Sequence, residues 1–424
     1  MVVFSLALSL TVILFLVNKK VNMGYSMLIA AALLALLNGR SIQYISRVFL
    51  GTMLNESTIT LALTVALISI LAHLMDKYLI LDRMITALET VLRSAKFTIL
   101  LAPSIMGTLI VYGGALMSCP VVGRLGDRLS ITKDDKAAIN LLFRHGLYLI
   151  FPLSPAMILA TELGGFGQWD LIKMHLPVSI IMYVLGYFFF VRNYKEPEIK
   201  EIDKGAYIGA LMEFGLYALP ILISLVGALI LPIPFYISLL MGIGVTIAIN
   251  TLDKKKDRKY DIGENPLKTI YKGIKLPLVI AILGIMFYRN IVTDLDEIYV
   301  FVGSLLDRGM PLELLIFIAS GIICLSLASP QPGIAILFPI ILPLAPTYEM
   351  SLLYGMFIFT TSFLFYYISP LHLCQVLTLE YFGVGLKKLY RNYMYLIPLT
   401  FLSMVVIYMV NILYTKEIMT FLRF

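Results

Sequence analysis

Four short motifs in this 424-residue chain set a serine beside a proline within hydrophobic sequence: Ser118-Cys119-Pro120, Ser154-Pro155, Ser329-Pro330-Gln331-Pro332 and Ser369-Pro370. Proline removes a backbone donor and clashes with the preceding helical turn. In lipid an unpaired backbone group is expensive, so such a break survives only inside protein or beside a wet cavity. Hydroxyls and freed carbonyls at half-helix ends can hold a cation, and half-helix N-termini can receive an anion. Ser118, Ser154, Ser329 and Ser369 are therefore candidate ligands for a sodium ion and its cargo. The competing reading is that each serine only satisfies broken backbone beside its proline.

Other side chains sharpen the chemistry. Arg144 lies in the same hydrophobic run as Ser154-Pro155. An arginine in mid-membrane costs about 2.5–3.5 kcal/mol on insertion scales. It reads either as the partner of an anion or as a side chain that snorkels to a nearby face. His372 follows Ser369-Pro370 and has no counterpart in the first half of the chain, where Met157 stands. It is a candidate hydrogen-bonding or proton-carrying group, and Gln331 is a similar candidate. Cys119, Pro120, Pro155 and Pro370 complete the set as break residues. His145, beside Arg144, reads as structural. Glu213 reads as a proton-coupling carboxylate or as the partner of a scaffold arginine. Arg124, Asp127 and Arg128 share one helical face and read as an exposed charge cluster.

Cys119, Cys324 and Cys374 are odd in number and lack a CxxC spacing, which argues against a disulfide framework or a zinc site; they read as small packing residues. There is no phosphate-binding P-loop, HExxH, GxSxG or paired catalytic carboxylate, so neither an enzyme nor a resident cofactor is expected. The ion expected to couple is Na+ or H+.

The elements that must position these residues follow from composition and period. The chain is 60% hydrophobic and 14% charged, with net charge +7, and its mean hydropathy is +0.91. Soluble domains carry about 25% charged residues, so this is a polytopic membrane protein that needs no nucleic acid to explain its basicity. The two pairs of breaks recur at a lag of about 215 residues, and a duplicated pair of interrupted hydrophobic segments points to a secondary-transporter site. Residues 1–192 and 208–424 form the two repeats, joined by a charged linker at 193–207. In the first, spans lie in 1–75, an amphipathic arm at 76–96, and hairpin and transport helices at 97–192. The hairpin has limbs 97–117 and 121–131, with its tip at Ser118–Pro120. The broken helix is 140–161. In the second, the scaffold is 208–292, with a basic loop at 253–275. The arm is 293–310. The hairpin has limbs 312–327 and 333–346, and the broken helix is 351–377. The expected fold is thus all-α, with three spans, an amphipathic arm, a re-entrant hairpin, a broken helix and a closing span in each half. Each half crosses an odd number of times, so the second is inverted relative to the first. Basic residues gather in loops of one face, which the positive-inside rule makes cytoplasmic, leaving both termini outside the cell membrane.

This pattern resembles the ion transporter superfamily: divalent anion/sodium symporters, citrate and gluconate transporters and their relatives. More narrowly it is similar to an uncharacterised prokaryotic membrane family within it. The symporters carry Ser-Asn-Thr at both hairpin tips and both helix breaks. Here those places hold Ser118-Cys119-Pro120, Leu153-Ser154-Pro155, Ser329-Pro330-Gln331 and Ile368-Ser369-Pro370, so serine is kept and Asn-Thr is not. The resemblance implies elevator-type alternating access and a homodimer formed through the scaffold. The expected function is secondary active transport of a small organic anion coupled to sodium or protons. The alternatives are a cation/proton antiporter, in which Glu213 and His372 would weigh more than Arg144, and a lipid-carrier flippase.

Overall fold

Small polar residues punctuate the apolar runs. The side chains of Asn22, Ser41, Asn55, Ser94, Thr132, Ser154 and Thr347 each accept a backbone N–H from the first turn of the helix they precede. A cap of this kind contributes about 1 kcal/mol. The computed structural model describes residues 2–108, 115–196, 203–231, 233–252 and 266–421, and these are helical with short connections.

The first ten helices are α1 (Val2–Asn18), α2 (Met23–Leu37), α3 (Ile42–Met53), α4 (Glu56–Lys77), α5 (Ile80–Leu92), α6 (Ala95–Gly107), α7 (Ala115–Arg128), α8 (Lys133–Gly146), α9 (Pro155–Gly164) and α10 (Gln168–Phe190). The next ten are α11 (Lys204–Leu229), α12 (Phe235–Leu252), α13 (Pro266–Gly273), α14 (Leu276–Thr293), α15 (Asp296–Asp307), α16 (Leu312–Leu327), α17 (Gln331–Ile341), α18 (Tyr348–Ile368), α19 (Leu373–Phe382) and α20 (Leu386–Phe421). Among the described residues, 7 helices are long and apolar enough to cross a membrane. With the composition, they make this a multi-pass membrane protein. Helix α6, with 13 residues, is only about 20 Å long, short of a hydrocarbon core of about 30 Å.

Packing divides the helices into two groups. One joins α1, α2, α4, α11, α12 and α14, with the amphipathic α3 and α13 against α14 and α4. Its tightest crossing is α2 on α14. A Cβ on Gly24 or on Gly284 would overlap the other helix's backbone, so only glycine permits that approach. The second group contains the hairpins α6–α7 and α16–α17 and the interrupted pairs α8–α9 and α18–α19, bordered by α10 and α20. Contacts cross between the halves: α7 packs on α19, and α17 packs on α9.

Three local expectations change. The first hairpin does not turn at Ser118-Cys119-Pro120, because those residues lie inside α7. Its limbs are joined between Gly107 and Ala115, where 109–114 fall outside the described residues. Pro120 is carried as an internal, exposed proline. The basic loop at 253–275 ends in α13, which docks on α4 through Ser69: its hydroxyl donates to Gly273 O at 3.0 Å and accepts from Lys275 N at 3.1 Å. Residues 253–265 lie outside the described residues, as does 197–202 of the charged linker. Finally, His372 is the N-cap of α19, the position that Ser154 holds on α9. Its counterpart by fold is Ser154, not Met157.

Candidate transport cavity

Helix α8 is polar by sequence yet is buried from Lys136 to Gly146 without interruption. It packs against α6, α7, α10, α19 and α20. Its last turn carries Arg144 and His145, where the helix dipole favours positive charge. Arg144 is 6% exposed. Its guanidinium reaches Ser118 Oγ at 3.5 Å, and it has no carboxylate partner among the described residues. A buried guanidinium without an anion is an uncompensated charge, and proteins rarely leave one so.

Arg144 borders a cavity of about 250 Å³ at the meeting point of both hairpins and both breaks. Gly107 and Thr108 enter from the end of α6; Arg144, His145, Tyr148, Ser154 and Pro155 come from the first break. Ser329, Pro330 and Gln331 come from the second hairpin tip, and Tyr366 and Cys374 flank the second break. Leu278 of α14 closes one side from the other helix group. The close approach of α6 to α8 depends on Gly107, since a Cβ there would overlap the Arg144 carbonyl.

The polar atoms suit an anion. Ser154 caps α9, accepting from Met157 N at 3.1 Å, and Pro155 opens the helix. The second tip turns through Ala328, whose φ is +46°, and α17 then starts at Gln331. Two helix N-termini thus reach the cavity beside Arg144, each a partial positive charge. Ser329 Oγ donates to Gln331 Oε1, so the Gln331 amide N–H groups remain for another acceptor.

The cavity therefore gathers Arg144, Ser154, Pro155, Ser329 and Gln331 from the residues singled out in the sequence. Ser118 is buried behind Arg144, its hydroxyl 3.2 Å from Ala115 O. His372 sits behind His145 and Tyr366, with ring centroids 4.8 and 4.2 Å away. Cys119 lies elsewhere, against Asn140, whose amide donates to its sulfur at 3.3 Å and to Thr378 Oγ1 at 2.9 Å. Pro120 and Pro370 are exposed. Ser369 donates to Leu325 O at 2.6 Å and does not line the cavity. Of the four serines proposed to cradle sodium, only Ser154 and Ser329 face it.

Sequence reasoning passed over Tyr148, Tyr366 and Gly107, and it read His145 as structural and Cys374 as a packing thiol. The available signals were the adjacency of His145 to Arg144 and the position of Tyr366 and Cys374 on either side of Ser369-Pro370. Glu213 lies apart, lining a cleft between α5 and α11 with Asp82, Arg83 and Tyr217. Burial there raises the Asp82 carboxyl above its usual range. Arg124 and Arg128 bridge to Glu89 of the arm at 2.9 and 2.6 Å, and Lys136 pairs with Asp127 at 2.5 Å.

Fold and composition together describe a multi-pass helical membrane protein with a polar cavity between its helices. The chain belongs to the family described as "Protein of unknown function (DUF401)", which its sequence matches over residues 2–411. No curated protein matches it. Its fold is similar to that in the crystal structure of the Alcanivorax borkumensis YdaH transporter, with a TM-score of 0.57, 13% identity and 89% of each chain covered.

Proposed function

We propose that this protein is a secondary active transporter of a small organic anion, coupled to sodium or protons, in the cell membrane. The observation that carries the reading is the buried, carboxylate-free environment of Arg144. It is the one arginine or lysine in the cavity lining, and no aspartate or glutamate joins it among the described residues. A cation antiporter would need the opposite balance, so the lining favours an anion. Two helix N-termini and the Gln331 amide supply further donors, while Tyr148, Phe151 and Tyr366 offer apolar faces to a carbon skeleton.

In this reading the two halves are inverted repeats of the ion transporter type. The hairpins and broken helices move together as the carrier, and α1, α2, α4, α11, α12 and α14 form the fixed scaffold of a homodimer. Leu278 on α14 would then mark where cargo slides past scaffold. A thermal-shift screen of the purified protein against small carboxylates, sulfonates and phosphates, each with and without sodium, tests the proposal. Stabilisation by one anion class, and uptake of that class into proteoliposomes driven by a sodium or proton gradient, is expected. Stabilisation by organic cations alone would overturn it.

A further inference from the structure

His145, His372 and Cys374 converge on one side of the cavity. One ring nitrogen from each histidine and the Cys374 sulfur all lie within 4.8 Å of one another. Both imidazoles are buried, at 5% and 2% exposure. Each is oriented by a main-chain carbonyl: His145 Nδ1 is 2.7 Å from Leu141 O, and His372 Nδ1 is 3.3 Å from Tyr367 O. A carbonyl only accepts, so each Nδ1 carries the proton and each Nε2 presents a lone pair. Histidines that ligate metal through one nitrogen are held in this way through the other. The buried Nε2 of His372 has no hydrogen-bond partner, and that of His145 has only a long contact, 3.3 Å, from the Tyr366 hydroxyl. Cys374 is a free thiol at the first turn of α19. With His145 it lines the cavity.

We propose that His145, His372 and Cys374 bind a transition-metal ion of the zinc type, with a fourth coordination position facing the cavity. Two imidazoles and a thiolate suit Zn²⁺, which takes such donors in tetrahedral array at about 2.0–2.3 Å. Calcium and magnesium would require oxygen ligands, and this cluster offers none from a carboxylate. Simple aromatic packing of the histidines with Tyr366 and Tyr367 accounts for their burial. It does not account for the unpartnered, buried Nε2 of His372 in a cluster that also brings together a second imidazole and a thiol. The site also fits its electrostatic setting. A zinc–thiolate unit retains positive charge, and Arg144 stands in the same cavity, so the open position is suited to an anionic oxygen. The proposal stands whether or not the cavity carries an organic anion.

Cobalt titration of the purified full-length protein tests it without any transport assay. The expected result is tetrahedral visible absorption and a thiolate-to-cobalt charge-transfer band, saturating at one ion per chain and displaced by Zn²⁺. Cys374→Ser should remove the charge-transfer band, whereas Cys119→Ser and Cys324→Ser should retain it. His372→Gln should weaken binding about ten-fold or more. Should that variant misfold, Cys374→Ser with an unchanged melting temperature decides the matter. Absence of the cobalt spectrum in the wild-type protein, or persistence of the charge-transfer band in Cys374→Ser, overturns the proposal.

Discussion

The two helix interruptions use the same Ser-Pro pair for different ends. At the first, the chain leaves α8 at Gly146 and runs irregularly to Ser154, which caps α9 and faces the cavity. At the second, Ser369 closes α18 and donates to Leu325 O of the neighbouring hairpin, and α19 starts after His372, whose side chain makes no cap hydrogen bond. One serine presents a helix start to the cavity; the other pins a helix end to a hairpin. The charge is equally lopsided, since Arg144 and His145 belong to the first break, while the second offers His372 and Cys374. Two similar interruptions thus border one asymmetric cavity, and in the proposed function that asymmetry is what would let it discriminate a ligand.

The largest expected effect tests whether the first side is the more tightly built. Gly107→Val should lower the melting temperature and abolish ligand binding, because the new side chain collides with the Arg144 backbone. Overpacking of this kind costs about 1–3 kcal/mol or more. On the second hairpin, Gly321→Ala should be mild, since it meets only the rim of the Phe365 ring, at 3.2 Å. Equal tolerance at both glycines, read by thermal melts, would dissolve the comparison.

The serines come next. Ser369→Ala should lower stability by about 1 kcal/mol by removing its part-buried bond to Leu325 O, with anion affinity retained. Ser154→Ala should cost about 1 kcal/mol as a lost cap, and it should weaken anion binding. Melting curves and ligand titrations on the two variants separate these outcomes; matching losses of affinity would mean that the breaks are equivalent. The smallest effect is expected at the arm. Glu89→Gln removes the bridges to Arg124 and Arg128, whose side chains are 58% and 51% exposed. It should change stability by less than about 1 kcal/mol and less still in high salt.

Much of this was legible in the sequence because it rests on local rules. Apolar length marked the long helices, and alternating charge marked the arm as amphipathic. Ser154-Pro155 and Ser369-Pro370 marked true interruptions. The first hairpin tip was misplaced because proline alone is a poor stop signal in this chain. Pro103, Pro120, Pro177, Pro220, Pro339 and Pro398 all lie inside helices, where neighbouring helices can satisfy the freed backbone groups. Glycine and the left-handed Ala328 mark turns that proline does not. His145 was read as structural and Cys374 as a packing thiol because their place at the cavity depends on long-range contact. His145 touches His372 only when α8 meets α19, and no spacing along the chain records that.

The account turns on Arg144 as the anion's partner. Calorimetry on the purified wild type, Arg144→Gln and Arg144→Lys, with the best anion from the screen, tests it directly. Arg144→Gln should weaken binding by a factor of ten or more (about 1.4 kcal/mol). Arg144→Lys should restore only part of it, because lysine lacks the planar fork that grips a carboxylate at two points. Unchanged or tighter anion binding by Arg144→Gln would contradict the account.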